Sequence, residues 1–212
     1  MERFGDQITV ERFPASEPAS GSCKDILKRK EEVAALYQGR WIIHTDADEI
    51  RSSPLLSLNL ADALASVEAA GWNRVDFTVL NHRPVNDHSA GSEGLVNRLP
   101  FFEFGNKPGH FVQKKLGYRG GQRVEVAQSG GRIVEFPEAR DCPYRFVLHH
   151  YPLRSPEHAH RKINRERIGR WLREEAERGW HSHYNDFIGL DFIVWSPDQL
   201  YDSRPYLLEQ HG

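Results

Sequence analysis

The chain has 212 residues, of which 39% are hydrophobic, enough to bury one sizeable core. Its 28 Lys plus Arg nearly balance 30 Asp plus Glu, leaving a formal net charge of -2, which argues against a protein that works by gripping nucleic-acid phosphates. No apolar run is long enough to span a bilayer and no signal-peptide pattern is present, so a cytoplasmic protein is expected, with Cys23 and Cys142 as reduced thiols.

In chain order, residues 8–13 alternate apolar and polar side chains (Ile8, Val10, then Phe13) and predict a short strand. Residues 14–22 are rich in Ser, Pro and Gly and read as a loop. Residues 25–37 predict a helix with Ile26, Val33 and Tyr37 near one face, stopped by Gly39. Trp41-Ile42-Ile43 predicts a buried strand, residues 60–70 a second helix ended by Gly71, and residues 74–80 a strand burying Val75, Phe77 and Val79. This β-α-β-α-β order predicts an α/β fold with parallel strands and right-handed crossovers.

The second half changes character. Residues 81–94 form a polar loop, long enough to be functional. Short strands are predicted at 100–104, 111–116, 123–127 and 132–136, punctuated by glycines, and an apolar strand at 144–151. Residues 156–178 predict the longest helix, striped by Ile163, Ile168, Trp171, Leu172 and Ala176, before a loop and a short terminal element over 180–212.

Two clusters carry chemistry. The apolar run at Trp41 ends in Asp46-Ala47-Asp48-Glu49, and in open α/β sheets ligands bind outside the carboxyl ends of strands. Two aspartates so spaced suit a hard cation, Mg²⁺ or Mn²⁺, that holds a diphosphate. On this stretch alone a helix N-cap with acidic residues complementing the dipole explains the pattern equally. The second cluster is His149-His150-Tyr151-Pro152-Leu153-Arg154-Ser155. Adjacent strand residues face opposite sides, so one histidine reaches a given site, and His150 is the choice because Arg154 and Ser155 follow on the next turn. Two half-buried strand histidines bonded to backbone would account for the pair without a site. Ser155 followed by Pro156 is a good N-cap.

Lys162 lies in the second turn of the long helix, within reach of a phosphate bound at that site. Lys24, Lys28 and Arg29 precede the acidic strand, either reaching a diphosphate or forming a solvated helix face. Asp76, Asp87 and Glu103 are candidate general bases, a role that requires hydrogen-bond reach of an acceptor hydroxyl. The His158/His160 and His181/His183 pairs lack a third ligand at zinc-enzyme spacing.

Trp41 to Ile50, read WIIHTDADEI, resembles the DxD region of bacterial family-two-like glycosyltransferases, in the branch with a DADE motif. Phe146 to Ser155 resembles that branch's HYP-x-RS motif, as do Lys162, Glu166, Arg167 and the Arg178-Gly179-Trp180-His181 stretch. The resemblance covers most of the chain from Ile8 to Asp186. A DxD alone is common, and its combination with the second block is fairly specific.

The resemblance implies a GT-A-like (Rossmann-like) mixed sheet flanked by helices, and metal-dependent transfer of a sugar from a nucleotide-sugar donor to a glycan or other hydroxyl acceptor in surface-glycan synthesis. A membrane-proximal acceptor is compatible with it, and nucleic acid is not a partner. Asp48 would coordinate the Mn²⁺ or Mg²⁺ that bridges the diphosphate, Asp46 the metal or the ribose, and His150 the metal or diphosphate. Arg154, Lys162 and Lys28 would contact the donor. Family members carry an N-terminal β-α-β portion that holds the base, and this chain begins beyond most of it. The expectation is one N-terminally truncated domain over 1–212, with 1–80 the nucleotide and metal half and 81–212 the acceptor half with its C-terminal helix. Residues Asp46, Asp48 and His150 would also serve a metal-dependent phosphoester hydrolase. A non-catalytic nucleotide-sugar binding domain, or an interaction domain using the basic helix with Trp171 and Trp180, are the remaining readings.

Overall fold

A computed structural model of the protein describes residues 8–13, 23–55, 57–85, 94–104, 113–162 and 195–204. In chain order its elements are α1 (Cys23–Ala35), β1 (Trp41–Ile43), β2 (Glu49–Ser52), α2 (Leu60–Ala69), β3 (Arg74–His82), α3 (Leu95–Arg98), β4 (Phe101–Phe104), β5 (Gln113–Arg119), β6 (Phe146–His150), α4 (Pro156–His160) and β7 (Tyr201–Asp202). The seven strands make one mixed sheet flanked by helices, the α/β class that the sequence predicts. Among the described residues no helix is long and apolar enough to cross a membrane.

The sheet is built on β3, the longest strand and buried over nearly all its length. One edge of β3 pairs in parallel with β6, from Phe77 opposite Phe146 to Asn81 opposite His150. The other edge pairs antiparallel with β5 and then, beyond a register shift, with β4. β1 lies outside β5, β2 outside β6 and β7 outside β4, all antiparallel. The expected run of adjacent parallel strands is therefore corrected. β1 and β3 run in the same direction, but β5 is inserted between them, and β3–β6 is the parallel pair among the described strands. Chain order could not reveal this insertion, because β5 arrives from far along the chain.

Alternation places a separate core on each side of the sheet. On one face α2 buries Ala63, Leu64 and Val67 against Val75, Phe77, Val79, Phe146 and Leu148. On the other, α1 buries Leu27 and Ala34 against Tyr118, Val124, Val126 and Val134. The α1 face differs from the expected one. Leu27 and Ala34, seven residues apart, turn inward, while Ile26 and Tyr37 are exposed. Inward-facing Glu31 accepts the backbone N–H groups of Val126 and Ala127, so a carboxylate fixes the turn that α1 packs on.

Three further expectations change. Residues 8–13 are not a strand: Ile8 and Val10 are 51% and 76% exposed, and the segment is tied to α1 through the Glu11–Arg29 ion pair. Alternation without a sheet edge to pair with does not make a strand. The strands expected at 123–127 and 132–136 reduce to isolated bridges, Glu125 opposite Glu135 among them, with a 3-10 turn at Ala127–Ser129. Strand β2 was missed because Glu49-Ile50-Arg51-Ser52 is charged, and it buries those charges as a pair. Of the predicted long helix, α4 and the turn to Lys162 are described, and the remainder lies outside the described residues. Neither Cys23 nor Cys142 is in a disulfide.

Burial also sets a pH response. His44 stacks on Tyr118, and His82 stacks on Tyr151; burial pushes both imidazoles down to about 4. The unfolded chain takes up these protons first as the pH falls, so both contributions are intact above about pH 6.5 and are lost between there and about pH 4. Each is worth roughly 3 kcal/mol at most. Both Cε1–H shifts in a proton NMR titration should stay flat to about pH 5 while the denaturation midpoint drops. Titration of both rings near their ordinary value would contradict this burial.

Candidate functional site

The site forms where β1, β6 and α4 end together. The turn after β1 carries Asp46-Ala47-Asp48 and is closed by Glu49 N–H donating to Asp46 O at 3.0 Å. Glu49 Oε2 accepts Asp46 N–H at 3.3 Å and the Arg51 guanidinium at 2.7 Å, and Arg51 also donates to the His44 carbonyl. Arg51 lies over the Phe77 ring, 4.5 Å from its centroid. The acidic turn is thus pinned from below by a buried ion pair. The N-cap reading of this motif does not hold, because the turn leads into β2 and not into a helix.

Asp48 projects toward the end of β6. Its backbone carbonyl accepts Tyr151 N–H at 2.8 Å, and its Oδ2 lies 2.8 Å from Lys162 Nζ and 3.9 Å from His150 Nε2. Lys162 Nζ also donates to the Pro152 carbonyl at 2.9 Å. Burial pushes the Asp48 carboxyl up, but the charges of Lys162 and His150 and the Lys162 hydrogen bond outweigh it and hold the carboxyl below its ordinary value. Residues more than 100 positions apart therefore share one ionic centre.

The two adjacent histidines face opposite sides of the sheet. His149 Nδ1 meets His82 Nε2 at 3.0 Å, and His82 Nδ1–H donates to the Leu99 carbonyl at 2.6 Å. His150 turns to Asn81, its Nδ1 2.9 Å from Asn81 Oδ1. His150 is the one beside Asp48, in keeping with strand alternation.

Asp46 is handled differently. Its carboxylate, 62% exposed, pairs at 3.1 Å with Lys30 of α1. Lys28 is exposed on that helix, so the α1 lysine that meets the acidic turn is Lys30. Among the described residues, no three His, Cys, Asp or Glu side chains are grouped to hold a metal ion, so the expected Asp46–Asp48–His150 set is not preassembled. Arg154 donates to the Ala47 carbonyl at 3.0 Å, bracing the acidic turn from the β6 side. Ser155 Oγ accepts His158 N–H at 3.1 Å, the expected N-cap.

No family model, no curated protein and no solved structure matches this chain. The chemistry of the site therefore rests on its own geometry.

Of the candidate bases, Glu103 is opposite Asn81, which is opposite His150, so all three share one row and one face of the sheet. Its carboxylate accepts Arg83 at 2.6 Å, and Arg83 in turn covers Trp195. Asp76 is buried and paired with Arg145 at 3.3 Å, while Asp87 lies outside the described residues. Sequence reasoning missed Asn81, Lys30 and Arg51. Asn81 carried a detectable signal: a polar residue following the apolar β3 pattern, at the end of the strand that neighbours the site.

Proposed function

We propose that the protein is a metal-dependent glycosyltransferase of GT-A-like architecture, moving a sugar from a nucleotide-sugar donor to a hydroxyl acceptor, with surface glycans as the acceptor class. The observation that carries this reading is the convergence of Asp48 from the acidic motif with His150 and Lys162 from the second motif. Two sequence blocks that resemble one family independently supply parts of one site.

The donor chemistry fits a divalent cation. Asp48 Oδ2 and His150 Nε2, 3.9 Å apart, are one hard oxygen and one imidazole nitrogen. Mg²⁺ and Mn²⁺ sites in nucleotide enzymes commonly use one or two protein ligands and take the rest from phosphate oxygens and water. When bound, such a cation neutralises charge on the departing diphosphate.

The chain's own residues account for the other needs. Lys162 is held where a phosphate oxygen of the leaving group would meet its ammonium, and Arg154 is exposed beside the same turn. The acceptor hydroxyl displaces the nucleoside diphosphate at the anomeric carbon and gives its proton to a base. Glu103, in the same sheet row as His150, is the described candidate for that base.

The test is product release. Incubation with a panel of UDP- and GDP-sugars and Mn²⁺ should liberate nucleoside diphosphate from at least one donor, and removal of metal by chelation should stop it. Release of phosphate from p-nitrophenyl phosphate, with every sugar nucleotide left intact, would instead support a phosphoester hydrolase.

A further inference from the structure

Each aspartate of the acidic turn meets a lysine ammonium. Asp46 Oδ1 lies 3.1 Å from Lys30 Nζ, and Asp48 Oδ2 lies 2.8 Å from Lys162 Nζ. The two lysines reach the turn from different elements, Lys30 from α1 and Lys162 from just beyond α4. The side chains of Asp48 and Lys162 are only 18% and 11% exposed, so each charge needs a close counter-charge. The Asp46–Lys30 pair is more open to solvent and correspondingly weaker.

This arrangement sets lysine and a divalent cation in competition. A cation held between Asp48 and His150 would take Asp48 Oδ2, the oxygen that faces His150 Nε2. Lys162 donates to that same oxygen, and two positive charges on one carboxylate oxygen repel. The formal charges of Asp46, Asp48, Lys30 and Lys162 already cancel, so a cation alone leaves the turn positive. A nucleoside diphosphate restores the balance, and its phosphate oxygens accept the N–H groups that the aspartates give up. Lysine suits such a transfer, being a point charge on a flexible stem.

We infer that Lys30 and Lys162 are exchangeable counter-ions, which leave the two aspartates to a divalent cation and move onto the phosphate oxygens of the nucleotide that binds with it. The identity of that nucleotide rests on the nucleotide-sugar reading, and the exchange adds Lys30 to the donor-binding residues. Its consequence is coupling: cation and nucleotide each raise the other's affinity by the same factor.

The electron paramagnetic resonance signal of free Mn²⁺ reads cation binding with no nucleotide and no turnover. Lys162→Met removes the competing charge and keeps an apolar stem. It should bind Mn²⁺ alone roughly 10-fold more tightly than the wild type, and UDP or GDP in saturating Mn²⁺ roughly 10-fold more weakly. Lys30→Met, at the more exposed pair, should change both affinities in the same directions by about 2- to 5-fold. Far-UV circular dichroism checks the fold of each variant, and Lys30→Met decides the matter if Lys162→Met does not fold. Mn²⁺ affinity that is unchanged or weaker in either folded variant overturns the exchange at that lysine. A wild type that binds neither nucleotide in Mn²⁺ overturns the diphosphate reading, and the titrations with Mn²⁺ alone still decide whether the lysines compete with a cation.

Discussion

Replacing Asp48 by alanine should weaken Mn²⁺-dependent nucleotide binding by at least 100-fold, on the order of 3 kcal/mol. Asp48 supplies the one carboxylate that faces both His150 and Lys162 among the described side chains. The variant should also lose stability, because Lys162 Nζ gives up a charge-assisted bond of 2.8 Å at a position where its side chain is only 11% exposed. Hydrogen bonds to charged groups are worth about 1.5–3 kcal/mol, which sets the size of that loss. Asp48→Asn keeps the shape and should recover part of the stability without recovering metal-dependent binding. Thermal denaturation and metal-dependent titration of the two variants separate these effects. Equal metal-dependent affinity in wild type and Asp48→Ala would remove Asp48 from the site.

The second large effect lies one residue further on. The side chains of Glu49 and Arg51 are 1% and 3% exposed, and Arg51 Nε and Nη1 have no hydrogen-bond partner. The guanidinium is therefore held by Glu49, the His44 carbonyl and the Phe77 ring. Glu49→Ala leaves a buried cation without its counter-ion, which costs about 3–5 kcal/mol. It also frees the turn that carries Asp46 and Asp48, since Glu49 Oε2 holds the Asp46 N–H. An apolar pair of similar volume, Glu49→Leu with Arg51→Met, should restore most of the stability, because replacing both ions removes the orphaned charge. Urea denaturation of the single and double variants measures this directly. A Glu49→Ala protein as stable as the wild type would show that the pair is not buried in solution.

What was legible in the sequence follows from the range of each signal. α2 and β3 were visible because their apolar periodicity is local and strong, and the Ser155 cap because its chemistry is complete within four residues. The choice of His150 over His149 also followed from a local rule, the alternation of strand side chains. The insertion of β5 between β1 and β3 was not legible, since pairing between distant segments leaves no periodic trace in either. β2 escaped because Glu49 and Arg51 are charged yet inward, and only the tertiary pair makes that tolerable. Lys30 was overlooked in favour of Lys28 because the α1 face was read one position off, toward Ile26 instead of Leu27. Asn81 needed the register of β3 against β6, which only the folded chain supplies.

Asp48, His150 and Lys162 are proposed to form a metal-dependent diphosphate site. Calorimetric titration of UDP and GDP into the wild-type protein, with and without Mn²⁺, tests it most directly. At least one nucleotide should bind saturably, and only when Mn²⁺ is present. Absence of binding to both nucleotides in Mn²⁺, or binding indifferent to the metal, would contradict it.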